Sequence, residues 1–170
     1  MVSMQCQRSL YLVDAENMVG SVAPFAPEIA DAWRQVQALT GYREGDLVVV
    51  GSSYVDTLVS AHVGMPSARK VYQAGKDGAD YALLDEMDAV VSQGNVDRIV
   101  LVSGDGIFAQ KLAVAASSGF RTHVCSRVER LSARLRLAAQ EVTFLSPTQH
   151  VTQTARIMWG VTGRPRLVAA

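Results

Sequence analysis

Residues 9–14, Ser9-Leu10-Tyr11-Leu12-Val13-Asp14, form a short apolar run that ends in a carboxylate. A continuous apolar run of this length is typical of a strand that is buried on both faces of a sheet. A second such run covers residues 97–102 and is followed closely by Asp105. The sequence therefore predicts two buried central strands, each with an aspartate at or just beyond its carboxyl end.

The rest of the chain alternates between short apolar runs and segments with apolar residues at helical spacing. Further strands are predicted over residues 46–51, 69–72, 121–125 and 142–145, and helices over residues 26–40, 55–62, 77–93, 107–118 and 128–139. This alternation predicts an α/β fold, in which helices cover both faces of a central, mostly parallel sheet of five or six strands. We expect one domain over residues 1–146 and a tail over residues 147–170, whose 151–159 stretch forms a short helix that packs back.

Composition excludes several classes of protein. With 170 residues, 49% hydrophobic and 19% charged, the chain has a globular composition and not a disordered one. No apolar run approaches the roughly 20 residues of a membrane helix, so we expect no membrane association. The two cysteines, Cys6 and Cys125, form no CxxC pair, which argues against a zinc site or a disulfide framework. A reducing cytoplasm is the expected location.

Charge is distributed unevenly, although the formal net charge is zero. Residues 1–107 hold 7 Lys+Arg and 14 Asp+Glu, whereas residues 108–170 hold 9 Lys+Arg and 2 Asp+Glu, giving net charges of −7 and +7. One interpretation is a metal-binding pole beside a surface that attracts phosphate. The other is that basic residues coat one solvated helix, and charge alone favours this second interpretation.

Several carboxylates are expected at one edge of the sheet. The carboxyl ends of parallel strands meet at the same edge, so Asp14 and Asp105 should be neighbours, and Asp80 lies in the first turn of a following helix. Converging carboxylates repel one another unless a cation lies among them, and oxygen ligands favour Mg²⁺ or Mn²⁺. The pattern thus predicts a metal site formed by these three aspartates.

Other roles are open for some acidic residues. Asp105 and Asp77 each precede a predicted helix, where an aspartate is often an N-cap. Asp85 lies five residues after Asp80, about 140° around the helix, so it is the weaker candidate for a supporting ligand. A solvated helix face explains Asp85 equally well.

The sequence resembles the NYN branch of the PIN-like nucleases. The resemblance covers about residues 8–146 and rests on four segments in the right order: Tyr11–Asn17 with a D-x-x-N pattern, Lys76–Asp80 with a K-G-x-D-like helix start, Val100–Phe108 with an S-G-D-x-D-F-like pattern, and Gly119–Val124 with a G-x-x-V pattern. It implies a PIN-like, Rossmannoid three-layer sandwich and metal-dependent ribonuclease activity. The resemblance also implies functional roles for Asp14, Asn17, Asp80 and Asp105.

Two positions depart from the family pattern. Ile107 stands where the second aspartate of S-G-D-x-D-F is expected, and Asp77 lengthens the spacing between Lys76 and Asp80 by one residue. The loss of a carboxylate at position 107 favours a second hypothesis, a catalytically weakened or inactive RNA-binding or protein-interaction module. Asp77 or Asp85 would then be the residues that could compensate.

In the ribonuclease hypothesis, Asn17 and Ser103 position the phosphate or metal-bound waters, although both could equally be turn residues. The resemblance implies a single-stranded or structured RNA as the partner. Its flanking phosphates would contact a set of basic side chains: Lys76, Lys111, Arg127, Arg130 and Arg134. The three arginines recur at three- and four-residue spacing, which predicts that they share one helical face. A homodimer would widen this basic surface, and the sequence leaves the oligomeric state open.

Overall fold

The structure is a computed structural model that describes residues 8–147. These residues contain one six-stranded sheet. The strands are β1 Ser9–Asp14, β2 Leu47–Ser52, β3 Arg69–Tyr72, β4 Arg98–Val102, β5 Arg121–Ser126 and β6 Glu141–Phe144. Their order is β3-β2-β1-β4-β5-β6, and all neighbours are parallel. The prediction of a mostly parallel sheet of five or six strands is confirmed.

Helices cover both faces of this sheet and make a three-layer sandwich. They are α1 Ala15–Val19, α2 Ala26–Thr40, α3 Val55–Gly64, α4 Gly78–Gln93, α5 Ala109–Ser117 and α6 Ala133–Ala138. Helices α1, α2 and α3 pack on the face that carries Tyr11 and Val13, whereas α4, α5 and α6 pack on the face of Leu10 and Leu12. Because β1 places alternate side chains in two cores, its continuous apolar sequence follows directly from its central position.

Helix α1 was not predicted, because its sequence was interpreted as a turn. It begins directly after Asp14, whose carboxylate accepts a hydrogen bond from the Asn17 N–H, and it ends at Gly20, which has a φ of 82°. A helix of five residues makes less than one and a half turns, which is too short for a periodic apolar pattern. Asp14 therefore serves as an N-cap, a role that the sequence suggested only for Asp77 and Asp105.

The predicted helix over residues 128–139 is wrong as a continuous element. Val128–Arg130 form a 3₁₀ turn, and α6 begins only at Ala133, where Ser132 Oγ accepts a hydrogen bond from the Leu135 N–H. The preceding helix also starts later than predicted, since a 3₁₀ turn over Gly106–Phe108 comes before α5. Side-chain capping by serine and aspartate breaks both segments.

Three further side chains of α2 and β5 are buried. Cys125 and Trp33 lie in the core, and His123 is buried with its Nε2 at 2.8 Å from Thr143 Oγ1. Within residues 8–147, every helix is too short or too polar to span a membrane. Residues 1–7, including Cys6, and residues 148–170, including the predicted 151–159 helix, lie outside the described residues.

Candidate active site

The candidate site lies at the carboxyl edge of the sheet, between β1 and β4. The chain leaves β1 toward β2 on one side, and β4 lies on the other side, so this is the point where the strand order reverses. Ligands of open α/β sheets bind in the crevice at such a point. The predicted adjacency of the two aspartate-ending strands is confirmed, because Val13 pairs with Val102 in the β1–β4 ladder.

Asp14 is buried at this edge, and both of its carboxylate oxygens have partners. Oδ1 accepts a hydrogen bond from the Asn17 N–H at 3.0 Å, and Oδ2 accepts one from Ser103 Oγ at 3.3 Å. Burial raises the pKa of Asp14 to about 8, and the charges of Asp80 and Glu16 act in the same direction against these hydrogen bonds. The carboxylate is thus held in one orientation in an environment that disfavours its negative charge.

Asp80 differs from Asp14 in one respect. Its side chain is also buried, in the first turn of α4, but Oδ1 accepts no hydrogen bond from any residue between 8 and 147. Burial raises the pKa of Asp80 to about 7, and the charges of Asp105, Asp77 and Glu16 add to that effect. A buried carboxylate oxygen without a donor is costly, so this position fits a protonated acid or a carboxylate facing a cation.

Asp105 is the exposed member of the three aspartates predicted as metal ligands. Its Oδ1 accepts a hydrogen bond from the Ile107 N–H at 2.9 Å and caps the 3₁₀ turn, which confirms the alternative N-cap role. Asp80 interacts electrostatically with both Asp14 and Asp105. Among the residues that the structure describes, however, no three acidic, histidine or cysteine side chains already form a group that could hold a metal ion. The role of these three aspartates, called here the carboxylate edge, as metal ligands remains a prediction.

Asn17 and Ser103 connect the two central strand ends. Asn17 Oδ1 accepts a hydrogen bond from the Gly104 N–H at 3.0 Å, and Ser103 Oγ accepts one from the Asp105 N–H at 3.2 Å. Because Ser103 Oγ also donates to Asp14, one hydroxyl connects the side chain of one aspartate to the backbone of another. Both residues fix the loop after β4 against the start of α1.

Glu16 is a site residue that the sequence interpretation missed. It lies in the first turn of α1, and its Oε1 accepts hydrogen bonds from Ser52 Oγ at 2.6 Å and from the Ser53 N–H at 3.3 Å. Its charge contributes to the raised pKa values of both Asp14 and Asp80. Recognising a helix capped by Asp14 would have placed Glu16 on the site side of that helix.

The other two acidic residues predicted to support the site, Asp77 and Asp85, lie in different environments. Asp77 is half-buried at the N-terminus of α4 with a φ of 58°, makes no side-chain capping bond, and acts on Asp80 through its charge. Asp85 is exposed on α4 and is not among the charges that shift the pKa of Asp80. Asp77 therefore belongs to the edge of the site, and Asp85 lies on the solvated face of the helix.

The basic residues are arranged differently from the prediction. Because the chain bends at Ser132, the prediction that Arg127, Arg130 and Arg134 share one helical face is wrong. Arg127 Nη1 donates to the Val19 carbonyl at 3.0 Å, and Arg130 Nη2 donates to the Gly20 carbonyl at 3.1 Å. These two arginines thus secure the C-terminal end of α1.

The other three basic candidates lie on exposed helices or loops. Lys111 on α5 forms an ion pair with Asp88 on α4, while Lys76 and Arg134 are exposed. A cavity of about 510 Å³ opens beside Asp105, and Asn17, Arg130 and Ser132 contribute to its lining. Arg130 therefore lines the same cavity as Asp105, together with the acidic Glu129.

The family model of the NYN domain matches residues 11–146. This chain belongs to the NYN domain family. The match covers the sheet except for the first two residues of β1, and it includes every residue of the carboxylate edge. The family indicates a PIN-like nuclease fold. NYN domains typically bind RNA, and NYN and PIN-like nucleases generally use divalent metals.

A solved structure shares the fold of this NYN domain. It is a crystal structure of a protein of unknown function from Vibrio parahaemolyticus, with a TM-score of 0.61 and 17% sequence identity, and the alignment covers 86% of this chain and 97% of that one. At this identity the likeness concerns the fold alone. A comparison with curated proteins gave no match.

Proposed function

We propose that this NYN domain is a metal-dependent ribonuclease that hydrolyses RNA phosphodiester bonds at the carboxylate edge, as an endonuclease acting in the cytoplasm. The observation that carries the proposal is the buried Asp80 Oδ1, which has no donor among residues 8–147 and lies in the field of a second buried carboxylate, Asp14. Two buried carboxylates this near one another favour either protons or a cation between them. In the proposed function, a divalent cation binds between these carboxylates.

The donors fit a small hard ion. Asp14, Asp80 and Asp105 offer only carboxylate oxygens, which suit Mg²⁺ or Mn²⁺ better than the softer metals. Such an ion, when bound, supplies positive charge that stabilises the charge developing on the phosphate and promotes ionisation of the attacking water. Because a proton and a cation compete for the same oxygens, the raised pKa values of Asp14 and Asp80 describe a site that is protonated near neutral pH when metal-free.

The surrounding residues hold these groups in place. The Asn17 N–H and Ser103 Oγ fix both oxygens of Asp14, while Asn17 Oδ1 holds the loop that presents Asp105. We therefore assign Asn17 and Ser103 as residues that position Asp14 and the loop of Asp105, whereas the sequence led us to expect them to position the phosphate or metal-bound waters. Asp105, the exposed member, is the carboxylate that substrate and solvent reach first.

The proposal is tested by incubating the full chain with end-labelled single-stranded RNA in Mn²⁺ or Mg²⁺, with parallel samples in excess chelator. We expect internal cleavage products that appear with metal and vanish with chelator. A DNA of the same sequence serves as the control for the sugar. RNA that stays intact in both metals, under conditions in which the protein is folded, would overturn the proposal.

A second candidate function is a non-catalytic RNA-binding or protein-interaction module. Ile107 favours it, because this position lacks the carboxylate of the family pattern, and no group of three ligands is preformed among residues 8–147. RNA binding without chelator-sensitive cleavage would support the module. Sedimentation of the purified chain decides between a monomer and a homodimer, which the sequence left open.

A further inference from the structure

The first turn of α4 lies directly against the end of β2. Gly51, near the end of that strand, pairs in register with Asp14. A Cβ at Gly51 would lie 2.8 Å from Leu83 Cγ and 3.2 Å from the Ala79 carbonyl oxygen, so a side chain there would push α4 outward. The bare backbone at this position lets the turn that carries Asp80 approach the strand end that carries Asp14.

A serine from outside the helix caps this turn. The N-cap residue of α4, Asp77, has a φ of 58° and makes no side-chain capping bond. Instead, Ser53 Oγ accepts a hydrogen bond from the Ala79 N–H at 2.9 Å, across 26 residues of sequence. A cap normally comes from the residue just before the helix, so this one also connects the start of α4 to the loop after β2.

Glu16 holds Ser53 from the side of α1. Its Oε1 accepts hydrogen bonds from the Ser53 N–H at 3.3 Å and from Ser52 Oγ at 2.6 Å. Glu16 lies two residues after Asp14, the residue that caps α1. Ser53 therefore connects the helix that follows Asp14 to the helix turn that holds Asp80. We call this connection, from Glu16 through Ser53 to α4, the serine bridge.

The two buried aspartates are held by different means. Both oxygens of Asp14 have hydrogen-bond partners, whereas Asp80 Oδ1 accepts no hydrogen bond from any residue between 8 and 147. The position of this oxygen is therefore set through the backbone of α4, and the residue just before Asp80 is the one whose N–H Ser53 holds. Asp80 is only 7% exposed, and it can share a cation with Asp14 only when the distance between the two side chains is kept.

We propose that Ser53 and Glu16 are positioning residues for a divalent cation that two buried carboxylates share. They hold Asp80 at the distance from Asp14 that this cation needs. The inference rests on the proposed function for the presence of the cation, but not for the cleavage of RNA. Ser53 thus has on the β2 side of the site the role that Ser103 has on the β4 side, where its hydroxyl connects Asp14 to the loop that follows.

The test is the affinity of the full chain for Mn²⁺, measured by calorimetric titration without RNA. Ser53→Ala removes the capping hydroxyl and should weaken Mn²⁺ binding at least about tenfold, the loss typical of a residue that orients a metal ligand. Ser53→Thr keeps a hydroxyl and should stay within about threefold of the wild-type affinity. Thermal midpoints in chelator establish that each variant is folded.

Two variants of Glu16 separate its hydrogen bonds from its charge. Glu16→Gln keeps an oxygen that accepts from Ser53 and Ser52, whereas Glu16→Ala keeps none. Both remove the negative charge, so a difference between them reports the hydrogen bonds alone. We expect Glu16→Ala to bind Mn²⁺ at least about fivefold more weakly than Glu16→Gln. If Glu16 were instead a ligand of the ion, the two variants would lose affinity equally.

The serine bridge also predicts how the two changes combine. Residues that act through one connection are not additive, so Glu16→Ala together with Ser53→Ala should bind Mn²⁺ within about twofold of the weaker single variant. A metal-free measurement follows the Tyr81 N–H, which donates to the Asp77 carbonyl in the same turn. Its hydrogen exchange in chelator should be faster in Ser53→Ala than in Ser53→Thr. The two Glu16 variants carry the test if Ser53→Ala does not fold.

A matched control is available at the amino end of the sheet. Thr122 is buried near the start of β5, and its Oγ1 also accepts one hydrogen bond from a backbone N–H, that of Gln140 at 3.3 Å. Thr122→Val removes that bond far from the carboxylate edge. We expect this variant to lower the thermal midpoint and to leave the Mn²⁺ affinity unchanged. An equal loss of affinity in Thr122→Val and Ser53→Ala would show that affinity follows stability alone, and would overturn the serine bridge.

The outcomes separate this inference from the proposed function. Mn²⁺ binding by the wild-type protein without RNA cleavage overturns the ribonuclease, and a loss of that binding in Ser53→Ala but not in Ser53→Thr still supports the serine bridge. RNA cleavage with unchanged Mn²⁺ affinity in Ser53→Ala overturns the bridge and leaves the ribonuclease in place. The bridge is also overturned if the wild-type protein binds no Mn²⁺, or if Glu16→Gln and Glu16→Ala bind it equally.

Discussion

The hydroxyl of Ser103 donates to Asp14 Oδ2 across 3.3 Å, and this contact joins the ends of the two central strands. Together with the Asn17 N–H it leaves Asp14 with a partner for each oxygen, whereas Asp80 Oδ1 has none among residues 8–147. The two buried acids therefore differ in their hydrogen bonding. The protein itself fixes Asp14, whereas under the proposed function a cation would be the missing partner of Asp80.

Replacing Asp14 with asparagine should lower the rate of metal-dependent cleavage at least about 100-fold without unfolding the protein. Asparagine retains an oxygen for the Asn17 N–H but loses the charge that a cation needs. The cleavage rate in Mn²⁺ and the thermal midpoint measure the two effects. Asp46→Asn is the matched control, since each oxygen of Asp46 also accepts one hydrogen bond, here from a backbone N–H, but Asp46 lies at the opposite end of the sheet. Unchanged cleavage by Asp14→Asn would refute the assignment.

The stability of the metal-free protein should depend on Asp80 in a pH-dependent manner. Its pKa is about 7 in the folded state and near 4 when unfolded, so between these values the folded state binds more protons. Stability from this group is therefore highest at low pH and falls as pH rises toward 7. We compare the free energy of unfolding of Asp80→Asn with that of the wild type, both in chelator. The difference between them should shift in favour of the variant by about 1 to 2 kcal/mol as pH rises from 5 to 8.

Denaturant unfolding at several pH values, all in chelator, measures this difference. Comparing variant with wild type largely cancels the buried His123, whose pKa is lowered by burial and by Arg98 and whose contribution has the opposite sign. Asp56→Asn, an exposed aspartate on α3, serves as the control and should show no such trend. A constant difference between Asp80→Asn and wild type across the pH range would contradict the prediction.

Introducing a carboxylate at position 107 should strengthen the site. Ile107 is half-buried and packs against the core on the α5 side, so Ile107→Asp should cost about 1 to 2 kcal/mol of stability. Ile107→Asn should cost a similar amount without adding charge. We expect the aspartate variant to bind Mn²⁺ about tenfold more tightly than the asparagine variant and to cleave RNA faster, as measured by calorimetric titration and cleavage rate. Equal affinity and rate in the two variants would exclude position 107 from the site.

Gly104 should tolerate no side chain. A Cβ there would lie 2.3 Å from the Arg130 carbonyl oxygen, so the backbone must shift and carry the Gly104 N–H away from Asn17 Oδ1. Gly104→Ala should therefore lower the free energy of unfolding by about 2 to 3 kcal/mol and also reduce cleavage. Gly106→Ala, whose Cβ would meet only Ser132 Oγ at 3.0 Å, should cost less than about 1 kcal/mol. Denaturant midpoints compare the two, and equal losses would show that the Arg130 contact is not the cause.

The sequence predicted the central part of the fold well because the cause is local. Residues 10–13 of β1 alternate between the two cores, so burial alone requires an apolar run there. The aspartate that follows this run lies at the sheet edge because the strand ends there. The same reasoning placed Asp14 beside the end of β4. Periodicity also located α2 and α4, which are long enough to show it.

The parts that were missed depend on capping and on distant contacts. Helix α1 is set by the Asp14 cap and by Gly20, and its buried residues Ala15, Met18 and Val19 make only one apolar repeat. One repeat is too little to predict a helix, so Glu16 was overlooked. The arginines that follow β5 looked like one helical face only because their spacing is also helical. Arg127 and Arg130 instead donate to carbonyls at the end of α1, 108 and 110 residues earlier in the chain.

Those distant partners also determine when the site can exist during synthesis. Asp14 obtains its Ser103 contact from 89 residues downstream, and α1 obtains its last support from Arg130, 110 residues beyond Gly20. A ribosome must therefore release most of the domain before the pieces meet. Under the proposed ribonuclease function, this delay would keep the nascent chain harmless to the messenger from which it is being translated.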